Sequence, residues 1–332
     1  KENIRLLEIL IVNDSNDRKI SPKVAQGIVS NKDILGVIGH NSSNATKAAL
    51  KVYRKEKLPV ISSTSTSTEL KSEVFFRTVI NNSVMAKRLA EYVQEQSKQK
   101  VVIFYNKESS YSEDMKKHFA QELGDFIEVE NIDLKKTIDI NEEINSVVSS
   151  QFKAGMLFSD VNSETIALVI KIATANNELS ENQRLSLFGG DSLYNCGTLK
   201  ESQQEFIGLI LAVPWHKDLK IAEPFLDRAK AQWTGPVGWR TATSYDATKA
   251  FIYALSKSGD NPTRSTVLKK LKEVNLPSNE TSGQNLRFNS EGETTGKAIL
   301  VEVFESPNRF CSDLDFRLVE EYGYFSYQLS LV

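Results

Sequence analysis

Two polar segments of this chain each follow a short apolar stretch. Seven consecutive serine and threonine residues, 62–68, follow the apolar residues 58–61. A second polar segment, residues 39–44, follows Val37 and Ile38. Small ligands bind outside the carboxyl ends of the strands in an open α/β sheet, and hydroxyl and backbone N–H groups donate hydrogen bonds. The pattern therefore predicts one crevice, lined by both segments, that binds a small anionic group.

Three hydroxyl residues are candidates for holding that anion. Ser43 lies at the start of a predicted helix, where free N–H groups and the positive helix end attract negative charge. A serine at this position also caps a helix, so both interpretations stay open. Thr64 and Thr66 lie within the hydroxyl run, which solvation of a surface loop would also explain.

An acidic and an aromatic residue are candidates for the opposite side of the crevice. Asp191 follows an apolar strand and the pair Gly189 and Gly190, which permits close backbone approach or a tight turn. Its carboxylate would pair with an ammonium group, although it would also cap a following helix. Tyr111 follows a predicted strand at residues 101–105, where it either walls the crevice or packs at a helix start.

Enzymatic chemistry finds little support in the sequence. The Tyr-x-x-x-Lys spacing of short-chain dehydrogenases occurs three times, at Tyr53 and Lys57, Tyr245 and Lys249, and Tyr253 and Lys257. A spacing found this often has low specificity, and no glycine-rich dinucleotide-binding loop follows a strand. The three histidines are scattered. We therefore expect no catalytic residue, no cofactor and no metal, and a Rossmann-type oxidoreductase is only a remote alternative.

Composition narrows the class of protein further. The chain has 332 residues, of which 40% are hydrophobic and 25% charged, and a formal net charge of -2. This length predicts two lobes of roughly 150 residues, and the lack of basic excess argues against nucleic-acid binding. No apolar run reaches the roughly 18 to 20 residues of a membrane span, so we expect no membrane insertion. The N-terminus lacks the layout of a secretory signal, so we expect a mature or trimmed chain.

The two cysteines, Cys196 and Cys311, fit no zinc or redox motif. Buried cysteine often behaves as a small hydrophobic residue. We favour two unpaired, partly buried thiols, and a disulfide between them stays open.

Apolar strands alternate with amphipathic helices, which predicts an α/β fold with parallel sheets. The predicted elements of the first unit are residues 6–12, 24–29, 34–38, 45–53 and 58–61. The alternation resumes between residues 86 and 188, which predicts a second doubly wound unit. Residues 75–79 and 208–214 read as crossovers between the units.

After the second crossover come three helices without strands of their own, predicted at residues 222–232, 245–256 and 264–274. They must cover a sheet made elsewhere, so we expect them to return to the first lobe. Strands predicted at residues 297–304 and 316–319 would edge the second sheet. We thus predict two doubly wound parallel-sheet lobes joined by crossover strands, with a ligand cleft between them. Lobe 1 comprises residues 1–79 plus 214–290, and lobe 2 comprises residues 80–213 plus 291–332.

Several motifs, in their order along the chain, resemble the type I periplasmic binding proteins of the leucine/isoleucine/valine-binding kind. They are Val-Ile-Gly-His-Asn-Ser-Ser at residues 37–43, the hydroxyl run within residues 61–70, and Phe-Arg-Thr at residues 76–78. The resemblance continues through residues 102–111, 188–191 and 241–247, and so covers nearly the whole chain. It implies two α/β lobes joined by three crossovers that close on a ligand.

The resemblance also implies roles for individual residues. Ser43, Thr64 and Thr66 match residues that hold the α-carboxylate of a ligand. Asp191 matches an acidic residue for the α-ammonium, and Tyr111 matches an aromatic residue that closes the cleft. Further candidates are Ser42 and Ser65 in the polar segments, Val161 near a position where the family can place an aromatic, and Trp239 and Arg240 before a helix lining the first lobe.

The chain departs from the family pattern at its beginning. The predicted strand at residues 6–12, followed by Asn13 and Asp14, resembles the family's second strand. We therefore expect the first strand and helix of lobe 1 to be absent. Either the sequence starts after an omitted segment, or another segment such as residues 324–329 fills the gap.

Together these observations predict a periplasmic or extracellular receptor that closes on a free amino acid or a similar zwitterion and delivers it to an ABC transporter. The alternative is the ligand-binding sensor domain of a signalling receptor, such as a receptor kinase. The expected partners are a small amino acid and either a membrane permease or a signalling domain. The side chain of the ligand is left open.

Overall fold

The computed structural model describes residues 7–136, 139–307 and 312–319. The helices in these ranges are α1 (Ser21–Ser30), α2 (Ser43–Lys55), α3 (Asn82–Glu95), α4 (Ser110–Leu123), α5 (Ile140–Ser149), α6 (Ser163–Asn177), α7 (Cys196–Ser202), α8 (Glu223–Gln232), α9 (Trp239–Ser256) and α10 (Arg264–Leu271). The strands are β1 (Val37–Ile38), β2 (Val60–Ser62), β3 (Phe75–Arg77), β4 (Lys100–Tyr105), β5 (Glu128–Asp133), β6 (Ala154–Phe158), β7 (Ser186–Gly189), β8 (Ile210–Val213), β9 (Asn275–Leu276), β10 (Leu286–Arg287), β11 (Ile299–Glu305) and β12 (Leu314–Leu318).

Two main sheets organise the molecule. The first sheet has the order β1-β2-β3 and is parallel throughout. The second sheet has seven strands in the order β12-β11-β8-β7-β6-β4-β5. Its strands from β5 to β8 are parallel, whereas β11 and β12 add antiparallel pairings at one edge. The mixed α/β architecture with two sheets confirms the predicted fold class. We call the regions around the first and second sheets the first and second lobes.

The central strands of the second sheet are buried on both faces. Val101 and Ile103 of β4 pack in one cluster with residues of α3 and α4. Val102 and Phe104 of the same strand point to the other face and pack with residues of α5 and α6. A parallel sheet covered by helices on both sides requires nearly continuous apolar strands, which is the pattern of β4 and β6.

Polar side chains start the helices that follow these strands. Ser109 caps α4, where its hydroxyl accepts a hydrogen bond from Ser112 N, and Asn162 caps α6 in the same way. Ser42 caps α2. Each cap satisfies one N–H group that the first helical turn leaves free, and so fixes where the strand-to-helix loop ends.

The chain returns to the first sheet after β8. Ile61 and Phe76 of the first sheet pack with Ala247 and Phe251 of α9 and with Leu271 of α10. Helix α8 contacts α9 through its residue Phe225. The Phe225 ring packs edge-on against Trp215 and lies 5.0 Å from the ring of Tyr245 in α9.

Just after the boundary that we predicted at residues 290 and 291, the chain pairs with the first sheet. Glu293, which we assigned to lobe 2, forms a parallel bridge with Arg77 at the end of β3. Gly292 O accepts a hydrogen bond from Arg77 N at 2.9 Å. The segment therefore extends the first sheet before the chain reaches β11.

The strand predicted at residues 6–12 is not formed in its described part, residues 7–12. Ile9 and Ile11 are 72% and 91% exposed, and Ile38 on the neighbouring edge strand β1 is 44% exposed. An apolar stretch becomes a strand only where another strand satisfies its N–H and C=O groups. The segment is anchored just beyond this stretch, where Asp14 Oδ2 lies 2.6 Å from His40 Nδ1.

The strands predicted near the chain end are confirmed, whereas one expectation about the cysteines is wrong. The predicted strands at 297–304 and 316–319 are confirmed as β11 and β12. Cys196 is disulfide-bonded, so the favoured interpretation of unpaired thiols is wrong for this residue. Cys311 and residues 324–329 lie outside the described residues.

Among the helices that the structure describes, none has the length and apolar character needed to cross a membrane.

Candidate functional site

The hydroxyl loop, residues 62–68, connects β2 to β3 at the carboxyl end of the first sheet. Most of its buried hydroxyl groups bond within the lobe. Ser65 Oγ donates to His40 O at 3.0 Å, and Thr64 Oγ1 donates to Asn41 O at 2.8 Å. These bonds tie the loop to the segment that precedes α2, so the two polar segments form one surface.

Ser43 and Thr66 occupy different positions on this surface. Ser43 is the first residue of α2, and its Oγ accepts a hydrogen bond from Ser67 N at 3.2 Å. Ser42, not Ser43, caps the helix by accepting from Ala45 N at 3.3 Å. The side chain of Thr66 is buried, and its Oγ1 has no hydrogen-bond partner. A buried hydroxyl without a partner is uncommon in folded proteins.

Arg77 holds the hydroxyl loop from beneath. Its side chain is fully buried and donates to the carbonyl oxygens of Ser65 at 3.1 Å and Ser67 at 3.0 Å. It also donates to Leu70 O at 3.2 Å and forms an ion pair with Glu293 at 2.9 Å. In the sequence this arginine stands out only as part of the Phe-Arg-Thr segment at residues 76–78. Its rigid fork of donors fixes the course of the loop backbone.

On the second lobe, Asp191 begins a one-turn helix, Asp191–Leu193, directly after β7 and Gly190. Its side chain is buried, and Oδ1 has no hydrogen-bond partner, nor has Ser192 Oγ. Tyr111, near the start of α4, lies beside this turn, where Ser192 N approaches its hydroxyl at 3.5 Å. A Cβ atom on Gly190 would lie 2.2 Å from the Tyr111 hydroxyl, so glycine is required there by space.

The electrostatics of Asp191 are those of a carboxyl removed from water. Burial raises the pKa of Asp191 to about 6, against opposing effects of Arg240 and Tyr111. Burial also raises the pKa of the Tyr111 hydroxyl, and the Asp191 charge adds to this shift. Asp191 is therefore ionised at neutral pH at a considerable desolvation cost, which a cationic group placed beside it would offset.

The remaining candidates on this side are Val161, Trp239 and Arg240. Val161 is half-buried in the loop after β6, and Ser159 in the same loop has a buried Oγ without a partner. Trp239 is buried in the large core cluster, where its Nε1 donates to Tyr194 O at 3.2 Å. The Arg240 guanidinium lies over the Trp239 ring, 4.4 Å from its centroid.

Direct hydrogen bonds join the two lobes across the predicted cleft. Asn44 Oδ1 on α2 accepts from Ser110 N on α4 at 2.8 Å. Thr68, the last residue of the hydroxyl loop, bonds to Asp114 through its N at 2.8 Å and its Oγ1 at 2.6 Å. The lobes are therefore in contact at this edge.

Asn82 connects the two candidate surfaces. Its backbone N donates to Thr66 O at 2.8 Å, and its Nδ2 donates to Tyr111 O at 3.1 Å and to Asp114 Oδ2 at 2.9 Å. Through this fully buried residue the hydroxyl loop and Tyr111 share a hydrogen-bonded path, and Tyr111 in turn lies beside Asp191.

Sequence reasoning missed Asn82, Asp114 and the bracing role of Arg77. Asn82 and Asp114 bond to residues more than ten positions away, and neither stands in a local pattern that marks a site. Ser159 did carry a signal, since it follows the apolar stretch of β6 just as Asp191 follows β7. In the described part of the chain, no group of three or more acidic, histidine or cysteine residues is arranged to hold a metal ion.

Comparisons with known proteins give relatives of the same architecture. The leucine-binding protein LivK of Thermotoga maritima superposes with a TM-score of 0.81 at 15% identity, over 95% of this chain and 88% of that chain. A solute-binding protein of Rhodopseudomonas palustris, in complex with 3,4-dihydroxybenzoic acid, gives 0.78 at 13% identity, over 94% and 84%. At these identities the likeness concerns the fold.

Sequence comparisons lead to the same group. A leucine-, isoleucine-, valine-, threonine- and alanine-binding protein of Pseudomonas aeruginosa is 26% identical over 158 residues, which are 46% of this chain. The match spans 41% of the length of that relative. A family model described as periplasmic binding protein matches residues 5–307. The chain thus belongs to the periplasmic binding protein family, of the type that includes the branched-chain amino acid receptors.

Proposed function

We propose that this protein is an extracytoplasmic receptor that closes its two lobes on a free amino acid. The α-carboxylate is held by the start of α2 and the hydroxyl loop, through Ser43, Thr64 and Thr66, with Ser42 and Ser65 fixing the loop. The α-ammonium pairs with Asp191, and Tyr111 covers the ligand from the second lobe.

The observation that carries the proposal is a set of buried polar atoms without partners on both sides of the contact between lobes. Thr66 Oγ1 lies on the first lobe, and Asp191 Oδ1 and Ser192 Oγ lie on the second. Leaving such groups unpaired costs about 1 to 3 kcal/mol each, and more for a charged group. A zwitterion supplies an acceptor for the hydroxyl and a donor for the carboxylate at the same time.

Hydrogen bonds to charged groups contribute roughly 1.5 to 3 kcal/mol each. Two or three such bonds to the carboxylate and one ammonium pair therefore support micromolar affinity after the entropy lost on binding. Neutral sugars would leave Asp191 without a directly paired cation.

Family membership supports a role in binding rather than catalysis, since relatives of this chain are solute-binding proteins. It also implies a location outside the cytoplasm. In this proposal the partner is a membrane permease of an ABC transporter, in keeping with the relatives that serve such transporters.

A thermal-shift screen across the amino acids, followed by calorimetry, tests the proposal. A ligand at 100 times its dissociation constant adds about 2.7 kcal/mol of stability, which is a readily measured shift. Because a structural neighbour was solved with an aromatic acid, the screen includes 3,4-dihydroxybenzoate. Stabilisation by that acid and by no amino acid would refute the proposal.

A further inference from the structure

Arg240 is held in a defined position at the start of α9. Its guanidinium lies 4.4 Å from the centroid of the Trp239 ring, and the ring is fixed by its hydrogen bond to Tyr194 O. Stacking on an aromatic face orients the planar guanidinium and leaves its N–H edge free to bind another group.

That edge has no protein partner in the described part of the chain. No hydrogen bond or ion pair is formed by the Arg240 side chain there, although the residue is half-buried. An arginine carries five N–H donors and remains charged in proteins. Asp191 and Tyr111 are near enough to influence it, since their charges oppose the lowering of the Arg240 pKa by burial. The arginine and Asp191 nevertheless form no direct ion pair.

The first turns of α9 pack against the hydroxyl loop. Ser244 Oγ donates to Ser63 Oγ at 3.0 Å. Thr78 Oγ1 donates to Thr243 O at 2.7 Å, which fixes the same turn against the crossover after β3. Arg240, one turn earlier on the helix, therefore lies next to the surface that we assign to the α-carboxylate.

Given the proposed function, on which this step rests, we propose that the ligand is an amino acid with an acidic side chain, of the aspartate or glutamate class, and that Arg240 pairs with its side-chain carboxylate. An amino acid with an apolar side chain would close the cleft over a guanidinium whose donors have no acceptor. Burying a charged group without a partner is costly, so such ligands are disfavoured. A second carboxylate gives these donors a bidentate partner.

The experiment is calorimetry of the wild-type protein against glutamate, aspartate, glutamine, asparagine and leucine, with 3,4-dihydroxybenzoate as a non-amino-acid probe. We expect one of the acidic amino acids to bind at least roughly 30-fold more tightly than its own amide, which has the same shape without the charge. Leucine should bind more weakly than the acidic ligand.

The variant Arg240→Gln separates a role in specificity from a role in folding. It should weaken the acidic ligand roughly 30-fold or more and leave the affinity for the matching amide unchanged or higher. Arg54→Gln is the matched control, because Arg54 is an exposed arginine of α2 whose ion pair is with the exposed Glu73. That control should bind every ligand as the wild type does, and both variants should unfold at wild-type temperature.

Each outcome decides between the two proposals. Tighter binding of leucine or of an amide than of either acidic amino acid would overturn the inference about Arg240 and leave the receptor proposal standing. Equal losses for acid and amide in Arg240→Gln would overturn the inference too, because they indicate a merely structural arginine. Binding of the aromatic acid and of no amino acid would overturn both.

Discussion

In the hydroxyl loop, side-chain oxygens bond to carbonyl groups and hydroxyls outside the loop, and Arg77 binds two of the loop carbonyl groups. Thr66 Oγ1 alone among the loop hydroxyls is buried without a partner. In the turn after β7, Asp191 Oδ1 and Ser192 Oγ are both buried and unpartnered. The first surface is thus a prebuilt scaffold, whereas the second holds a desolvated charge. This difference teaches that mutations on the first surface, Thr66 excepted, should act mainly on folding, and those on the second mainly on binding.

Arg77→Met should have the largest effect, and it should be on stability. The variant leaves Glu293 without its ion-pair partner and removes the donor to the carbonyl groups of Ser65, Ser67 and Leu70. We expect the free energy of unfolding to fall by about 3 to 5 kcal/mol, measured by chemical denaturation. Arg54→Met, at an exposed ion pair, should change it by less than about 1 kcal/mol. Similar stabilities for the two variants would contradict the scaffold role of Arg77.

Asp191→Asn should act on ligand affinity and not on stability. Affinity for the amino acid should fall by about 2 to 5 kcal/mol in calorimetry, because the buried ammonium loses its counter-charge. The stability of the ligand-free protein should not fall, since a desolvated carboxylate is removed.

Asp246→Asn is the matched control for that variant, since burial raises the pKa of Asp246 to about 6 as well. Its carboxylate accepts from Ser282 N at 2.7 Å and from Ser282 Oγ at 2.6 Å. This variant should lose stability and keep its affinity. If Asp246→Asn lost affinity while Asp191→Asn kept it, the assignment of Asp191 to the ligand would be wrong.

Acid should weaken ligand binding through Asp191. Only the ionised carboxyl pairs with an ammonium group, so the affinity is complete above the Asp191 pKa of about 6 and is lost as the pH falls through it. Well below that pKa the affinity should decline about tenfold per pH unit. Calorimetry of Asp191→Asn over the same range should give a flat profile, and a wild-type profile equally flat would exclude this titration.

The smallest effects are expected at two neighbouring hydroxyl groups of the first surface, Thr66 and Ser65. One substitution should change affinity and the other stability. Thr66→Val removes an unpartnered hydroxyl, so stability should hold while affinity falls by about 0.5 to 1.5 kcal/mol. Ser65→Ala removes the bonds to His40 O and Thr46 Oγ1, so it should lower stability by about 1 kcal/mol with less effect on binding. Denaturation and calorimetry of both variants test this contrast.

The succession of strands and helices could be predicted from the sequence because it depends on local apolar patterns. The strand predicted at 101–105 is β4, and the helix predicted at 45–53 is the middle of α2. The strand predicted at 6–12 failed for a non-local reason. Its apolar residues suit a strand, but no neighbouring strand pairs with the part that the structure describes.

The candidate site, too, could be predicted from the sequence only where local patterns mark it. Asp191, Tyr111 and the hydroxyl run could be named from the sequence because each follows an apolar strand, and strand ends collect at one edge of a sheet. The sequence did not reveal that Arg77 braces the loop, that Asn82 joins it to Tyr111, or that Asp114 bonds to Thr68 across the lobes.

By itself, the sequence determined the α/β class, the order of most elements and the hydroxyl, acidic and aromatic residue types that follow the strands. Only the tertiary structure decided which hydroxyl groups are already bonded, that Asp191 is desolvated, and that Arg240 stacks on Trp239. The physical reason is that local patterning fixes secondary structure, whereas burial and hydrogen-bond pairing depend on groups brought together from distant parts of the chain.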